Sequence, residues 1–165
     1  MGMNSVRMQV LGVFGGSMAT PEEEFIAERV GGVAAVCGWV TLTGGGRGVM
    51  ASASRGAVEA GGLTAAILPN AFPGQGYPNK WVHLPIFTGV GNARNNFNVL
   101  SSSLCVAIGG GAGTLSEISL ALKNGIPVWS WGSWTVRDPR GNPPEGLRVF
   151  DDPEDLIAAL EDALT

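Results

Sequence analysis

Residues 105–117 read Cys-Val-Ala-Ile-Gly-Gly-Gly-Ala-Gly-Thr-Leu-Ser-Glu, and the fold turns on this stretch. Cys105 to Ile108 is a short apolar, partly β-branched run, suited to a buried parallel strand. It passes through Gly109, Gly110, Gly111, Ala112, Gly113 and Thr114 into a helical pattern whose buried face is Leu115, Ile118 and Leu122. A strand that hands over to a helix through a glycine loop leaves backbone N–H groups free at the helix N-terminus. That arrangement is an anion site, most often for phosphate. The spacing GGGAGT is neither the dinucleotide fingerprint GxGxxG nor the Walker loop, because no Lys-Ser/Thr follows the last glycine.

The same pattern of strand, glycine turn and helix recurs upstream. A strand over Met8–Phe14 ends at Gly15, Gly16 and Ser17, and Thr20-Pro21-Glu22-Glu23 then supplies an N-cap, a helix-starting proline and a capping-box glutamate. A second strand, Trp39–Thr43, runs into Gly44, Gly45, Gly46 and Gly48 before a helix from about Val49 to Ala60. Strands are expected again at Leu63–Leu68 and Leu84–Thr88, the latter followed by Gly89-Val90-Gly91-Asn92 and a helix over Ala93–Ser102 with Asn92 as its N-cap. Between these two strands, 70–82 is a long irregular stretch of the kind that forms lids and binding loops. Pro127–Trp131 and Arg148–Phe150 complete the strands, and Asp152-Pro153 opens a last helix with Leu156, Leu160 and Leu164 inward. Regular alternation predicts an α/β fold: one domain over 1–165, doubly wound, with a mostly parallel sheet of six or seven strands and helices on both faces. Glycine turns that follow strands gather at the carboxyl edge of such a sheet, where ligands bind at the point the strand order reverses.

Composition narrows the function. Hydrophobic residues make up 45% of the 165 and charged residues 15%, which is ample for a packed core. The 26 glycines are about double the ~7% average usage, but they cluster without a short period, so collagen-like and low-complexity readings fall away. A net charge of −4 and a pI near 4.9 leave no basic stripe for nucleic acid. Cys37 and Cys105 lie in apolar segments without metal spacing and read as reduced core thiols; with His83 the sole histidine, no protein-bound metal site is expected. The segment Met1–Met8 has no leader-like apolar core, and no apolar stretch approaches ~18 residues, so the expectation is a cytoplasmic protein away from membranes.

Four segments taken together resemble a known family: VFGGS at 13–17, TGGGRGVM at 43–50, GNARN at 91–95 and GGGAGTLSE at 109–117. They are similar to the lysine decarboxylase-like Rossmann proteins, which include the LOG phosphoribohydrolases and the molybdenum cofactor carrier proteins. The resemblance implies a Rossmann-like domain that assembles as a homo-dimer or homo-tetramer. The hydrolase branch carries PGGxGTxxE and an arginine followed by lysine. This chain has no proline in the loop and has Asn95 in the lysine position, and both departures look more like the carrier branch. What the resemblance implies is therefore a carrier of a phosphorylated pterin, the molybdenum cofactor. The alternative is a hydrolase that splits a nucleoside 5′-monophosphate at its N-glycosidic bond.

Residue by residue, Gly109, Gly110, Gly111, Gly113 and Thr114 can cradle a phosphate through main-chain N–H groups and one hydroxyl. Arg94 stands in the first turn of its helix, against the dipole, which suggests a forked contact to phosphate. Gly15, Gly16 and Ser17, with Gly45, Gly46 and Arg47, are further ligand-binding candidates. Glu117 has two readings. Thr114-Leu115-Ser116-Glu117 is a capping box in its own right, or the carboxylate faces the cleft and, with Arg94, is catalytic in a hydrolase. Trp129 and Trp131 share one side of their strand and are read as packing under a helix.

Overall fold

The structure is a computed structural model that describes residues 7–165, so the leader reading of Met1–Met8 falls almost wholly outside the described residues. Seven strands form one sheet: β1 (Val10–Gly15), β2 (Val40–Thr43), β3 (Thr64–Leu68), β4 (Leu84–Phe87), β5 (Leu104–Ile108), β6 (Val128–Trp131) and β7 (Leu147–Phe150). Their order is β4-β3-β2-β1-β5-β6-β7, and every neighbouring pair is parallel. Five α-helices alternate with them: α1 (Pro21–Val36), α2 (Val49–Glu59), α3 (Arg94–Leu100), α4 (Ala112–Lys123) and α5 (Pro153–Leu164). The fold is the single-domain, doubly wound α/β type.

Alternation along the strands builds a core on each face of the sheet. Leu11 and Val13 of β1 and Leu104, Val106 and Ile108 of β5 pack with α1, α2 and α5. Phe14 of β1 and Cys105 and Ala107 of β5 point the other way, against Val99 of α3 and Ile118 and Ala121 of α4. Because β5 is covered on both sides, all five of its residues are buried. Leu156, Leu160 and Leu164 of α5 face the first of these cores, and Trp131 joins them, with Trp129 packed against the same cluster.

Three local expectations fail, the first being the inward face of α4, where Thr114, Glu117, Ile118 and Ala121 are buried while Leu115 and Leu122 are only partly so. Asn92 is not a helix cap: Gly91–Ala93 forms a single 3₁₀ turn, and α3 follows from Ala93, which makes no side-chain capping bond. Nor is Thr114–Glu117 a capping box. α4 starts at Ala112 with Gly111 as N-cap, so Thr114 already lies in the first turn and Glu117 in the second. The box expected at Thr20 is present, with Thr20 Oγ1 accepting from the Glu23 N–H at 3.1 Å and Glu23 Oε2 accepting from the Thr20 N–H at 2.9 Å.

Candidate functional site: a cleft at the switch point of the sheet

Strand order reverses between β1 and β5, and their register places Gly15 opposite Ile108. The turns that leave these two strands therefore part in opposite directions and open a crevice at the carboxyl edge. A cleft of about 970 Å³ lies there, within the range of small-molecule and cofactor sites. One wall is the turn Gly15-Gly16-Ser17 and the start of α1, with Thr20, Glu23 and Glu24. The other is Gly110, Gly111, Gly113 and Thr114, and Gly44, Met50, Tyr77, Arg94, Asn95 and Glu117 close the back.

The β5–α4 turn forms one lip of the cleft. The first N–H groups of α4 have no carbonyl four residues behind them inside the helix and are open to an acceptor. Gly111 and Gly113 are exposed and meet nothing where a Cβ would stand, so a ligand can approach the main chain directly. Gly110 has φ +92°, and the Thr114 side chain fills the place its Cβ would take. The turn is held from outside by Ser133 Oγ donating to the Gly109 carbonyl (2.6 Å) and Trp134 Nε1 donating to that of Gly111 (3.0 Å).

Arg94 enters from α3. Its Nη1 donates to the carbonyls of Gly44 and of Ile67 (2.8 Å to the latter), so the side chain spans the ends of β2 and β3. A Cβ at residue 44 would lie 2.5 Å from that guanidinium, so the absence of a side chain there leaves room for Arg94 in its present position. The Arg94 guanidinium also lies 5.7 Å from the Tyr77 ring centre.

Glu117 lies at the cleft floor and is only 7% exposed. Burial pushes its carboxyl up to about 8, with the Arg94 charge and the Asn98 amide pulling back against that rise. Arg29 pairs with Glu154 and Arg55 with Glu28, while Glu117 makes no salt bridge among the described residues. Beneath it, burial pushes the Cys105 thiol up to about 12, and the charge of Glu117 adds to the rise. Among the described residues no group of three or more His, Cys, Asp or Glu is placed to hold a metal ion, and no helix is long and apolar enough to cross a membrane.

Of the residues singled out in the sequence, Gly15, Gly16, Ser17, Arg94, Gly110, Gly111, Gly113, Thr114 and Glu117 come together on this cleft. Gly109, Gly45, Gly46 and Arg47 do not line it. Gly109 is buried beside the Glu23 carboxylate, and Gly45 packs on Leu68 and Ala66. Gly46 sits behind Met50 and Tyr77, and exposed Arg47 turns to Gly76. Sequence reasoning missed Tyr77, Met50, Gly44, Glu23 and Glu24 at the cleft and Asn98 beneath it. Asn98 stands four residues after Arg94, hence on the same face of α3, and that spacing was its one signal. Tyr77, the sole tyrosine, was visible only as part of the long loop 70–82.

A doubly wound parallel sheet with a glycine-edged cleft at its switch point defines a Rossmann-like domain. More narrowly, the model of the SLOG cluster4 family matches residues 7–146, and the chain belongs to that family. An uncharacterized protein of Archaeoglobus fulgidus is 38% identical over 152 residues, 92% of this chain and 94% of its own. Among solved structures, the molybdenum cofactor binding protein of Rippkaea orientalis is similar at a TM-score of 0.81 and 40% identity, covering 98% of this chain and 100% of that one. The molybdenum cofactor carrier protein of Chlamydomonas reinhardtii is similar at a TM-score of 0.78 and 37% identity, covering 96% and 99%.

Proposed function

We propose that this protein binds and carries a phosphorylated pterin, the molybdenum cofactor, in the cleft between β1 and β5. The phosphate would sit on the N–H groups of Gly111, Gly113 and Thr114 at the start of α4, with Arg94 as the nearest fixed positive charge. The turn Gly15-Gly16-Ser17 would form the opposite lip, and the pterin would lie toward Tyr77 and Met50. Two relatives at 40% and 37% identity over nearly the whole chain bind or carry this cofactor, which supports the assignment of ligand class.

The observation that favours a carrier over a nucleotide hydrolase is the state of Glu117. Cleavage of an N-glycosidic bond through an oxocarbenium-like centre calls for an ionised carboxylate against the sugar, or a base to activate water. Glu117 is buried at the cleft floor without a salt-bridge partner, a setting that favours its neutral form. A neutral carboxyl can donate to a ligand but offers no ionised carboxylate to a sugar or a water. The discriminating experiment incubates the protein with AMP and an N6-substituted AMP, and separately measures pterin-phosphate binding. A carrier gives binding that Arg94→Ala weakens at least tenfold and no released base. Rapid release of base that disappears in Glu117→Ala overturns the carrier and leaves the hydrolase. A homo-oligomer belongs to the same reading, and sedimentation velocity tests it.

A further inference from the structure

The loop that leaves β6 touches the β5–α4 turn at two carbonyls. Ser133 Oγ donates to the Gly109 carbonyl at 2.6 Å, and Trp134 Nε1 donates to that of Gly111 at 3.0 Å. Neither side chain lines the cleft, whereas Gly110, Gly111, Gly113 and Thr114 do. In a trans peptide the C=O of one residue and the N–H of the next point in opposite directions. The Ser133 bond therefore aims the Gly110 N–H away from the β6 loop, and the Trp134 bond does the same for that of Ala112. Neither N–H has a main-chain acceptor among the described residues. The two bonds differ in weight. The Gly111 carbonyl also accepts from the Leu115 N–H at 3.1 Å, so α4 alone fixes that peptide. The peptide after Gly109 lies between two glycines with φ +53° and +92°, which leaves it free to turn over unless something holds it. Gly109 is buried, and its neighbour on the α1 side is the Glu23 carboxylate, an acceptor that has no hydrogen to give its carbonyl. The Ser133 hydroxyl is the donor that holds it.

We propose that Ser133 is a positioning residue for the ligand's phosphate, with Trp134 as its support. Together they add the N–H groups of Gly110 and Ala112 to the donors that the turn presents to the cleft. This rests on the phosphate reading of the cleft. A second feature of the same cleft points to a ligand: Glu117, only 7% exposed, lines it and makes no salt bridge among the described residues. With the Gly109 carbonyl held behind the turn, a phosphate meets donors already aimed at it and pays no ordering cost for them. With that peptide turned over, the phosphate would meet a carbonyl oxygen instead of an N–H. Ser133 thus acts on affinity through the main chain, without touching the ligand.

The test titrates AMP into ¹⁵N-labelled full-length wild type, Ser133→Ala, Ser133→Thr and Trp134→Phe, and follows the backbone amides. In the wild type the Gly110 and Ala112 amide protons should move downfield and saturate. Ser133→Ala should bind AMP about tenfold more weakly, as expected for one lost donor to a charged group, with a smaller shift at Gly110. Ser133→Thr, which keeps the hydroxyl, should recover most of the affinity. Trp134→Phe should lose only about twofold, because Leu115 still holds the Gly111 carbonyl. Without AMP, the Ser133→Ala spectrum should differ from wild type only around the turn. If AMP binds wild type and Ser133→Ala alike, with the same Gly110 shift, the phosphate reading stands and the positioning role falls. Weaker binding that comes with displaced signals along the whole of β5 and β6 marks a general loosening and also overturns it. If AMP moves no amide of the turn in the wild type, the phosphate reading itself falls and takes the proposal with it.

Discussion

Arg94 joins three elements through one guanidinium, and its two roles can be separated by substitution. The hydrogen bonds to the Gly44 and Ile67 carbonyls are charge-assisted and partly buried. Arg94→Ala should therefore cost about 1.5–3 kcal/mol in urea unfolding, in addition to its loss of ligand affinity. Arg94→Lys should regain part of the affinity, because a point charge remains. It should not regain the stability, because an ammonium cannot reproduce the fork that spans two strand ends. If Lys restores both equally, the bridging role is wrong. The two cysteines give a simpler check. Cys105 is fully buried and its thiol is pushed up to about 12, whereas Cys37 is partly exposed at the C-cap of α1. With a disulfide reagent at pH 8, one thiol should react in the folded protein and the second only after denaturant is added.

At the scale of the element, the sequence was a good guide wherever a cap is made by side chains and a poor one wherever it is made by backbone. Thr20 to Glu23 was legible because both partners of the box are in the chain and nothing else competes for them. Thr20→Ala should lower stability by about 1 kcal/mol, with Thr20→Ser close to wild type, as thermal unfolding would show. Loss of the cap should also loosen Glu23, whose carboxylate lies against Gly109 at the edge of the cleft. The pattern Thr114-x-x-Glu117 looks the same in sequence but has the wrong register. Gly111, which has no side chain to cap with, starts α4 and leaves the first-turn N–H groups open. The start of α3 misled for a related reason. Its entry is a 3₁₀ turn at Gly91–Ala93, a backbone device that leaves Asn92 at the rim of the cleft instead of at a cap.

For the whole molecule, alternation of apolar runs and glycine turns was enough to predict a parallel, doubly wound sheet. Strand order was not legible, because it depends on which crossovers pack back on which side. The cleft followed from that class of fold, since its walls are the turns after β1 and β5. Its floor did not, because Glu117 and Asn98 acquire their chemistry only from burial, which no local pattern shows. That burial has a consequence for stability. Glu117 is pushed from 4.5 to about 8 in the folded protein, while the unfolded chain keeps the ordinary value. At pH below 4.5 both states hold the proton and the group makes no difference. As pH rises from 4.5 to 8 the unfolded chain releases a proton that the folded chain retains, so stability falls across this window and levels off above it. The loss is on the order of a few kcal/mol. Glutamine has the shape of the neutral acid and no proton to lose. The unfolding free energy of Glu117→Gln should therefore match wild type below about pH 4.5 and exceed it by a margin that grows to about pH 8 and is constant from there to pH 9. Carboxylates held ionised in the fold, such as Glu154 beside Arg29, lose their contribution at the acid end in both proteins and cancel in the difference. A difference that stays constant from pH 4.5 to 9 would mean that Glu117 ionises freely where it sits, and the buried floor would lose its part in setting the charge of the cleft.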